Sequence, residues 1–201
     1  MVRPVTRSRI RSVRGLMLPE EVERLAALAA EVPSWQTIIE VGTHTALSTV
    51  WLASGAEEGF GAHVVAIDPY PDPRPGSKDD PFGLGDGGAL REARDNLTRV
   101  GYWHRVTLLR AYGDAIAATW QNPVGLVFID SVHEFDHFLR DYASWGPRIE
   151  PGGWLVCHDY SEEPGHEYEG VARALREVVL PGGLWDPPVV TANLWTARRR
   201  P

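Results

Sequence analysis

Cysteine is nearly missing from this 201-residue chain, because Cys157 is its only one. A lone cysteine excludes an intrachain disulfide and fits a reducing compartment, so we expect a cytoplasmic protein. Long hydrophobic runs are missing as well, and the apolar stretches are too short to cross a bilayer. The first residues also lack the apolar segment of a secretory signal. We therefore expect no membrane partner.

Basic residues are fewer than acidic ones, and they are concentrated at the two ends of the chain. The formal net charge is −7, and Lys78 is the only lysine. This acidic balance disfavours nucleic acid as a partner. By contrast, residues 1–15 hold five arginines and no acid. We interpret them as a basic N-terminal arm, mobile or docked on a partner, that precedes a single domain over residues 16–201.

Apolar strands alternate with helical patterns along the domain. We predict strands at 37–41, 63–70, 105–115, 124–130, 152–160 and 188–199. Helices are predicted at 18–33, 46–56, 89–101, 115–121, 134–149 and 169–180. Continuous apolar strands are typical of a parallel sheet that is buried on both faces and joined by right-handed crossovers. A Pro/Gly/Asp loop at 71–88 interrupts the alternation, and loops of this length are usually functional or disordered.

Polar residues gather where these strands end. In an open parallel sheet, ligands bind outside the carboxyl ends of the strands. The residues at that edge are Glu40, Gly42, Asp68, Gly113, Asp114, Asp130, His158 and Asp159. We therefore expect one ligand site that combines them.

The first strand-to-helix turn, "IIEVGTHTALST", lacks a dinucleotide fingerprint. His44 and Leu47 stand where G-x-G-x-x-G needs its second and third glycines, and only Gly42 remains. Glu40 would also place negative charge close to a phosphate. Both features disfavour NAD and FAD, and they fit a ligand that has a ribose and adenine but no phosphate. A plain turn in a structural domain is the alternative.

Two further acids suit the nucleoside part of such a ligand. Asp68 ends the second strand, where a carboxylate can accept hydrogen bonds from both ribose hydroxyls. Asp114, in "YGDA", can accept one from an adenine amino group. Either residue would also serve as an ordinary turn residue.

Four segments together resemble class I S-adenosylmethionine-dependent methyltransferases. They are "TIIEVGTHTALSTVWLA", "VVAIDPY", "VFIDSVHEFDHFLRDYASWGPRIEPGGWLVCHDY" and "GVARAL", and the resemblance covers residues 16–199. It is greatest to the small-molecule branch that includes macrocin-type O-methyltransferases and cephalosporin-hydroxylase-like proteins, and it extends more distantly to catechol-type O-methyltransferases. The chain departs from the pattern at Ala46, where the family usually has glycine, and in the 71–88 loop.

The resemblance implies both a fold and a cofactor. The fold is α/β: a Rossmann-like, doubly wound, mostly parallel seven-stranded sheet with helices on both faces and an antiparallel C-terminal strand. The cofactor is S-adenosyl-L-methionine. The implied cofactor-binding residues are Gly42 and Thr43 under the methionine part, Glu40 near its amino group, Ser48 near its carboxylate, Asp68 on the ribose, Asp114 and Ala115 beside the adenine, and Asp130 beside the sulfonium.

The resemblance also implies the catalytic groups. In metal-dependent relatives, the positions of Asp130, His158 and Asp159 hold a divalent cation such as magnesium or manganese. His158 disfavours magnesium, which prefers oxygen ligands, and suits manganese, iron or zinc. His133 lies where catechol-type enzymes have a lysine base, and a neutral imidazole can accept a proton. A metal-free site, with His133 or His158 as the base, is the alternative.

Simpler interpretations of these residues stay open. Asp130 can cap the following helix, His133 can be an ordinary first-turn histidine, and "HDY" at 158–160 can be a polar strand end. The residue types alone do not choose between a structural and a catalytic role.

We predict an enzyme that transfers a methyl group from S-adenosyl-L-methionine to a hydroxyl of a small molecule, such as a natural-product sugar or phenol. A metal-dependent hydrolase, an NAD-dependent oxidoreductase and a non-catalytic cofactor-binding protein are the alternatives. The sequence does not identify the acceptor, and both a monomer and a homo-oligomer fit it.

Overall fold

A computed structural model describes residues 7–70 and 87–201, in which seven strands form one sheet. The strands are β1 (Thr37–Val41), β2 (His63–Asp68), β3 (Val106–Arg110), β4 (Val124–Ile129), β5 (Ile149–Cys157), β6 (Val189–Thr191) and β7 (Leu194–Arg198). Their order across the sheet is β3-β2-β1-β4-β5-β7-β6. Neighbours from β3 to β5 are parallel, whereas β7 is antiparallel to β5 and β6. This arrangement confirms the predicted Rossmann-like sheet.

Helices cover both faces of the sheet. They are α1 (Arg7–Ile10), α2 (Pro19–Ala30), α3 (Leu47–Glu58), α4 (Gly88–Val100), α5 (Gly113–Ala117), α6 (Phe135–Trp145) and α7 (Glu169–Ala174), with a 3₁₀ turn at Gly146–Arg148, a π turn at Leu175–Val179 and a 3₁₀ turn at Leu180–Gly182. One buried cluster holds side chains of α1 to α4, and the other holds side chains of α5 to α7. The fold is therefore doubly wound. Among the described residues, none of the helices combines the length and apolar character that a membrane span needs.

The two central strands, β1 and β4, are buried along their whole length. Successive side chains of a strand point to opposite faces, so a strand covered on both sides is mostly apolar, and Glu40 is the charged exception in β1. Ile38, Ile39 and Phe128 are fully buried, and burying each such side chain stabilises the fold by about 1.5–3 kcal/mol. The ends of these strands are consequently rigid supports for the polar residues that follow them.

Close packing between α2 and α3 fixes the position of α2 over the sheet. A Cβ on Gly55 would lie 2.0 Å from the carbonyl oxygen of Ala26, and one on Gly59 would lie 2.0 Å from that of Ala30. Only residues without a side chain permit this approach of the two backbones. It brings the first turn of α2, which carries Glu21, to the carboxyl end of β5.

The described part of the predicted N-terminal arm packs onto the domain. Ile10 is fully buried and Val13 is 5% exposed. The Thr45 hydroxyl also donates a hydrogen bond to the carbonyl oxygen of Arg14, at 3.0 Å. The described part of the arm thus contributes to the core, because two apolar side chains among the arginines find buried positions. Residues 1–6, and residues 71–86 of the predicted 71–88 loop, lie outside the described part of the chain.

Candidate active site

The carboxyl ends of the parallel strands meet at one edge of the sheet. At this edge Gly42, which follows β1, contacts the backbone of Asp130, which follows β4. Gly42 has φ +95°. A Cβ at this position would lie 2.0 Å from the carbonyl oxygen of Asp130, and the Asp130 N–H donates to the carbonyl oxygen of Val41 at 2.8 Å. The turn after β1 and the end of β4 are therefore in direct contact, and only glycine fits between them.

Asp68, at the end of β2, holds the turn after β1. Its Oδ2 accepts hydrogen bonds from the backbone N–H groups of Thr43 and His44, both at 2.9 Å. Its Oδ1 accepts from the N–H of Tyr70 at 2.6 Å. The turn then passes through a left-handed residue, Ala46, with φ +68°. This conformation explains why a glycine is usual there, since a Cβ in the left-handed region costs about 1–2 kcal/mol.

Glu40 is a fully buried acid in the middle of this structure. The Thr49 hydroxyl donates to its Oε2 at 2.5 Å, whereas its Oε1 has no hydrogen-bond partner among the described residues. Burial raises the pKa of Glu40 to about 8, against the opposing effect of the Ser48 and Thr49 hydroxyls. An unpaired buried carboxyl oxygen costs free energy, so this atom is prepared for a polar or cationic group. Ser48, 5% exposed, lies beside it.

The turn after β3 approaches the same place. A Cβ on Gly113 would lie 2.9 Å from Val41 Cγ1, so the turn packs against the end of β1. Asp114 and Ala115 follow and are exposed. The Ala115 N–H donates to Asp114 Oδ1 at 2.7 Å. The predicted nucleoside-binding residues are thus brought near the turn after β1, on the side of β3.

His158 forms the centre of a second cluster, built from the ends of β4 and β5. Its Nδ1 lies 3.2 Å from Asp130 Oδ1 and 3.1 Å from Asp159 Oδ1, and its Nε2 lies 3.1 Å from Glu21 Oε2. Burial alone would lower the pKa of His158, but the three carboxylates outweigh it and raise the pKa to about 12. An imidazole surrounded in this way keeps its proton at neutral pH, which disfavours the alternative of His158 as the base.

His133 lies at the outer side of this cluster. Its Nδ1 is 2.6 Å from Asp159 Oδ2, and 44% of its side chain is exposed. Its ring centroid is 5.0 Å from that of Tyr168. The hydrogen bond with Asp159 raises the pKa of His133, although partial burial opposes the change. The arrangement leaves Nε2 as the ring nitrogen that can exchange a proton with a bound molecule.

Asp159 connects the two histidines. Its backbone is in the left-handed region, with φ +56°. Burial would raise the pKa of Asp159, but the hydrogen bonds from His133 and His158 outweigh it, and the pKa is lowered. Asp159 is thus ionised at neutral pH, and it orients both imidazole rings.

The donor set of Asp130, His158 and Asp159 fits a divalent cation. One ligand atom from each residue lies within 4.8 Å of the others. The two closest nitrogen–oxygen separations, 3.1 and 3.2 Å, are near the spacing of about 3 Å between adjacent ligands of an octahedral ion with bonds of about 2.1 Å. One imidazole and two carboxylates suit manganese, iron or zinc. The same positions equally suit a protonated His158, so the geometry accepts either a cation or a proton.

The structure therefore assembles the predicted residues in two neighbouring groups. The first contains Glu40, Gly42, Thr43, Ser48, Asp68, Asp114 and Ala115, and the second contains Asp130, His133, His158 and Asp159. The sequence did not reveal Glu21, which is 1% exposed. An acid in the first turn of a helix is favourable on electrostatic grounds alone. The residue type at this position therefore gave no sign of the contact with His158.

A depression of about 400 Å³ lies elsewhere on the described surface. Its lining includes Trp120, Pro123, Arg148 and Arg199. These residues surround the amino ends of β4 and β5, at the edge of the sheet opposite the strand-end residues. It contains neither the histidines nor the carboxylates described above, so it is not a candidate for the chemistry.

The chain is similar to known proteins in both its sequence family and its structure. A family model described as "Methyltransferase domain" matches residues 39–160. The O-methyltransferase from Bacillus cereus in complex with SAH is 17% identical, with a TM-score of 0.66 over 96% of this chain and 91% of that chain. The O-methyltransferase TomG from Streptomyces achromogenes in complex with SAM is 16% identical, with a TM-score of 0.63 over 92% and 82%. The O-methyltransferase NovP is 13% identical, with a TM-score of 0.71 over 90% and 80%.

The two kinds of comparison differ in what they establish. At these identities the likeness to solved structures shows a shared fold. The family model covers more than half of the chain, and it includes the turn after β1, the end of β4 and the end of β5. The chain therefore belongs to the methyltransferase family, with the class I, Rossmann-like fold.

Proposed function

We propose that the chain uses S-adenosyl-L-methionine to methylate a hydroxyl group of a small molecule. One observation carries this proposal: a buried acid with an unpaired oxygen, Glu40, lies two residues before the Gly42 turn, and that turn contacts Asp130 at the edge of the His158 cluster. The first group suits a cationic, phosphate-free nucleoside, and the second suits removal of a proton. The B. cereus enzyme and TomG, solved with SAH and SAM, support the choice of cofactor.

The residues present fit this cofactor. Glu40 Oε1 is buried and without a partner among the described residues, and it would accept from the amino group of the methionine part. The Gly42–Thr43 turn would lie beneath that part, with Ser48 near its carboxylate. A carboxylate has about four acceptor positions, and Asp68 uses three of them on backbone N–H groups, which leaves one for a ribose hydroxyl.

Bound S-adenosyl-L-methionine supplies an electrophilic methyl group on its sulfonium, and the chain must provide an activated acceptor oxygen. His133 would accept the hydroxyl proton at Nε2, while Asp159 holds Nδ1. Proton removal by a positioned base typically contributes about 10²–10⁴-fold in rate. Asp130, His158 and Asp159 would hold a divalent cation, magnesium, manganese or another, whose chemistry is to lower the pKa of a coordinated hydroxyl.

The exposed side of the site supports a small-molecule acceptor. The rings of His133, Tyr168 and His166 form a chain of contacts, with centroids 5.0 and 4.9 Å apart. Such rings suit a flat or sugar-like molecule, as in natural-product sugars and phenols. The net charge of −7 disfavours nucleic acid as the acceptor.

Calorimetry and an acceptor screen test this proposal together. We expect S-adenosyl-L-methionine to bind, NAD not to bind, and methyl transfer to occur to some members of a panel of sugar and phenol hydroxyls. Binding of NAD in place of S-adenosyl-L-methionine would favour the oxidoreductase. Hydrolysis that needs a metal but no added cofactor would favour the hydrolase. Cofactor binding without transfer to any acceptor would favour a non-catalytic binding protein.

A further inference from the structure

Glu21 is a buried acid in the first turn of α2 whose three contacts have different functions. Its Oε2 accepts from the Leu18 N–H at 2.7 Å, and its Oε1 accepts from the Asn193 N–H at 2.8 Å. The first bond caps the start of α2, and the second connects α2 with the turn between β6 and β7. The third contact joins Oε2 to His158 Nε2 at 3.1 Å, and it points toward the cluster of aspartates.

The third contact sets the orientation of the His158 ring. Because Nε2 is directed to Glu21, Nδ1 faces Asp130 and Asp159. A histidine that binds a metal usually donates its other ring N–H to a carboxylate, which fixes both the tautomer and the angle of the ring. The geometry at His158 has the same three parts: an outer carboxylate, an imidazole, and an inner pair of carboxylates.

We propose that Glu21 is a positioning residue for a divalent cation at Asp130, His158 and Asp159, and that it acts through His158. This inference rests on the proposed metal-assisted methyl transfer. A purely structural residue at this position would need to satisfy only the two backbone N–H groups. The contact with His158 assigns Glu21 a second role, because it holds Nδ1 available as a ligand atom.

Manganese affinity measured by calorimetry on the full chain tests this role. In Glu21→Gln the side chain keeps its size, but the single amide oxygen cannot accept from all three donors. We expect the Mn²⁺ affinity to fall by about 10–100-fold, the usual effect of losing an outer partner of a metal ligand. S-adenosyl-L-methionine affinity should not change, since Glu21 makes no contact with the Glu40–Gly42 group.

Glu31→Gln is the matched control. Glu31 caps the end of the same helix and its Oε2 accepts from Trp154 Nε1 at 3.2 Å, so it also links α2 to β5 without contacting His158. This variant should keep wild-type Mn²⁺ affinity even where its melting temperature falls. If Glu21→Gln does not fold, as judged by circular dichroism, Glu21→Asp replaces it, because its shorter side chain cannot reach His158.

A double-mutant cycle separates action through His158 from a general effect. In a His158→Ala background, Glu21→Gln should cause no further loss of Mn²⁺ affinity. The inference is wrong if the folded Glu21 variant binds Mn²⁺ like the wild type, or if it weakens binding equally in both backgrounds. It is also wrong if the wild type binds no Mn²⁺. That last result would leave the proposed methyltransferase function standing wherever S-adenosyl-L-methionine still binds and transfer still occurs.

Discussion

Gly42 shows how one missing side chain can define the site. Its φ of +95° disfavours any L-residue, and in addition a Cβ would meet the Asp130 carbonyl oxygen at 2.0 Å. Gly101 has nearly the same backbone angle, φ +96°, but a Cβ there meets no described atom within 4 Å. The two glycines therefore separate the cost of the backbone conformation from the cost of the contact.

Gly101→Ala should lower the free energy of unfolding by about 1–2 kcal/mol, the cost of a left-handed alanine. Gly42→Ala should lower it by about 2–5 kcal/mol, because overpacking against backbone is added. Urea denaturation of both variants measures the difference. Equal losses would show that the turn after β1 moves away from the end of β4 without cost.

His133 is the second residue whose role can be isolated. His133→Ala should leave S-adenosyl-L-methionine affinity nearly unchanged and reduce turnover by about 10²–10⁴-fold, since the acceptor proton then has no positioned base. Its control is His137→Ala, in the first turn of α6, where the exposed imidazole pairs with Glu134 at 3.0 Å. Turnover at the wild-type level in His133→Ala would show that the proton leaves by another route.

The turn between β1 and α3 depends on a residue of another strand. Asp68→Asn keeps the shape of the side chain, but its amide group cannot accept from Thr43, His44 and Tyr70 together. We expect a loss of about 1–3 kcal/mol of stability from the unmet N–H group, along with weaker S-adenosyl-L-methionine binding. Urea denaturation of the cofactor-free protein and calorimetry measure the two effects.

Asp95→Asn, an exposed acid on α4, is the control for Asp68→Asn and should change neither quantity. A variant at Asp68 that weakens cofactor binding but keeps full stability would assign Asp68 to the ribose alone. Loss of stability with unchanged cofactor affinity would assign it to the turn alone.

Sequence patterns predicted the helices and strands because apolar periodicity records which faces are buried. They were less accurate at boundaries that depend on tertiary pairing. β5 begins at Ile149 and not at residue 152, since Ile149 pairs with Val124 and Trp154 pairs with Leu126 across an irregular segment. The predicted helix at 134–149 ends at Trp145, where Pro147 follows in a 3₁₀ turn.

The same limit applies to the site. Asp130, His158 and Asp159 could be grouped from the sequence, because neighbouring parallel strands end at one edge. Glu21 could not, because it lies 137 residues from His158 along the chain. Its position depends on the close packing of α2 on α3, which no local pattern encodes.

Electrostatics couple the site to the stability of the entire fold. The chain has a net charge of −7. Glu40 is a fully buried acid, and the described groups that shift its pKa most are two hydroxyls and two carboxylates, none of them a cation. The nearby charges of Asp130 and Asp68 add to the effect of burial and favour the protonated form. The cofactor-free protein therefore carries a neutral carboxyl group at Glu40 at pH values where most acids are ionised.

This state makes stability depend on pH in a definite direction. The folded protein keeps the Glu40 proton up to a pKa of about 8, whereas the reference carboxyl loses it at 4.5. Between these values the folded state binds more protons than the unfolded state, so the stability contributed by Glu40 falls as pH rises, by about 1.4 kcal/mol per pH unit at most. Above a pH of about 8 both states are ionised and the loss levels off.

Glu40→Gln should remove this dependence, because an amide does not ionise and its oxygen can still accept from Thr49. Urea denaturation of both proteins from about pH 5 to 9 gives two stability curves, and their difference cancels the titration of all other groups. We expect the wild type to lose stability relative to the variant as pH rises toward about 8, and then to run parallel to it. A difference that stays constant over this range would mean that Glu40 is already ionised in the folded protein and that burial does not raise its pKa.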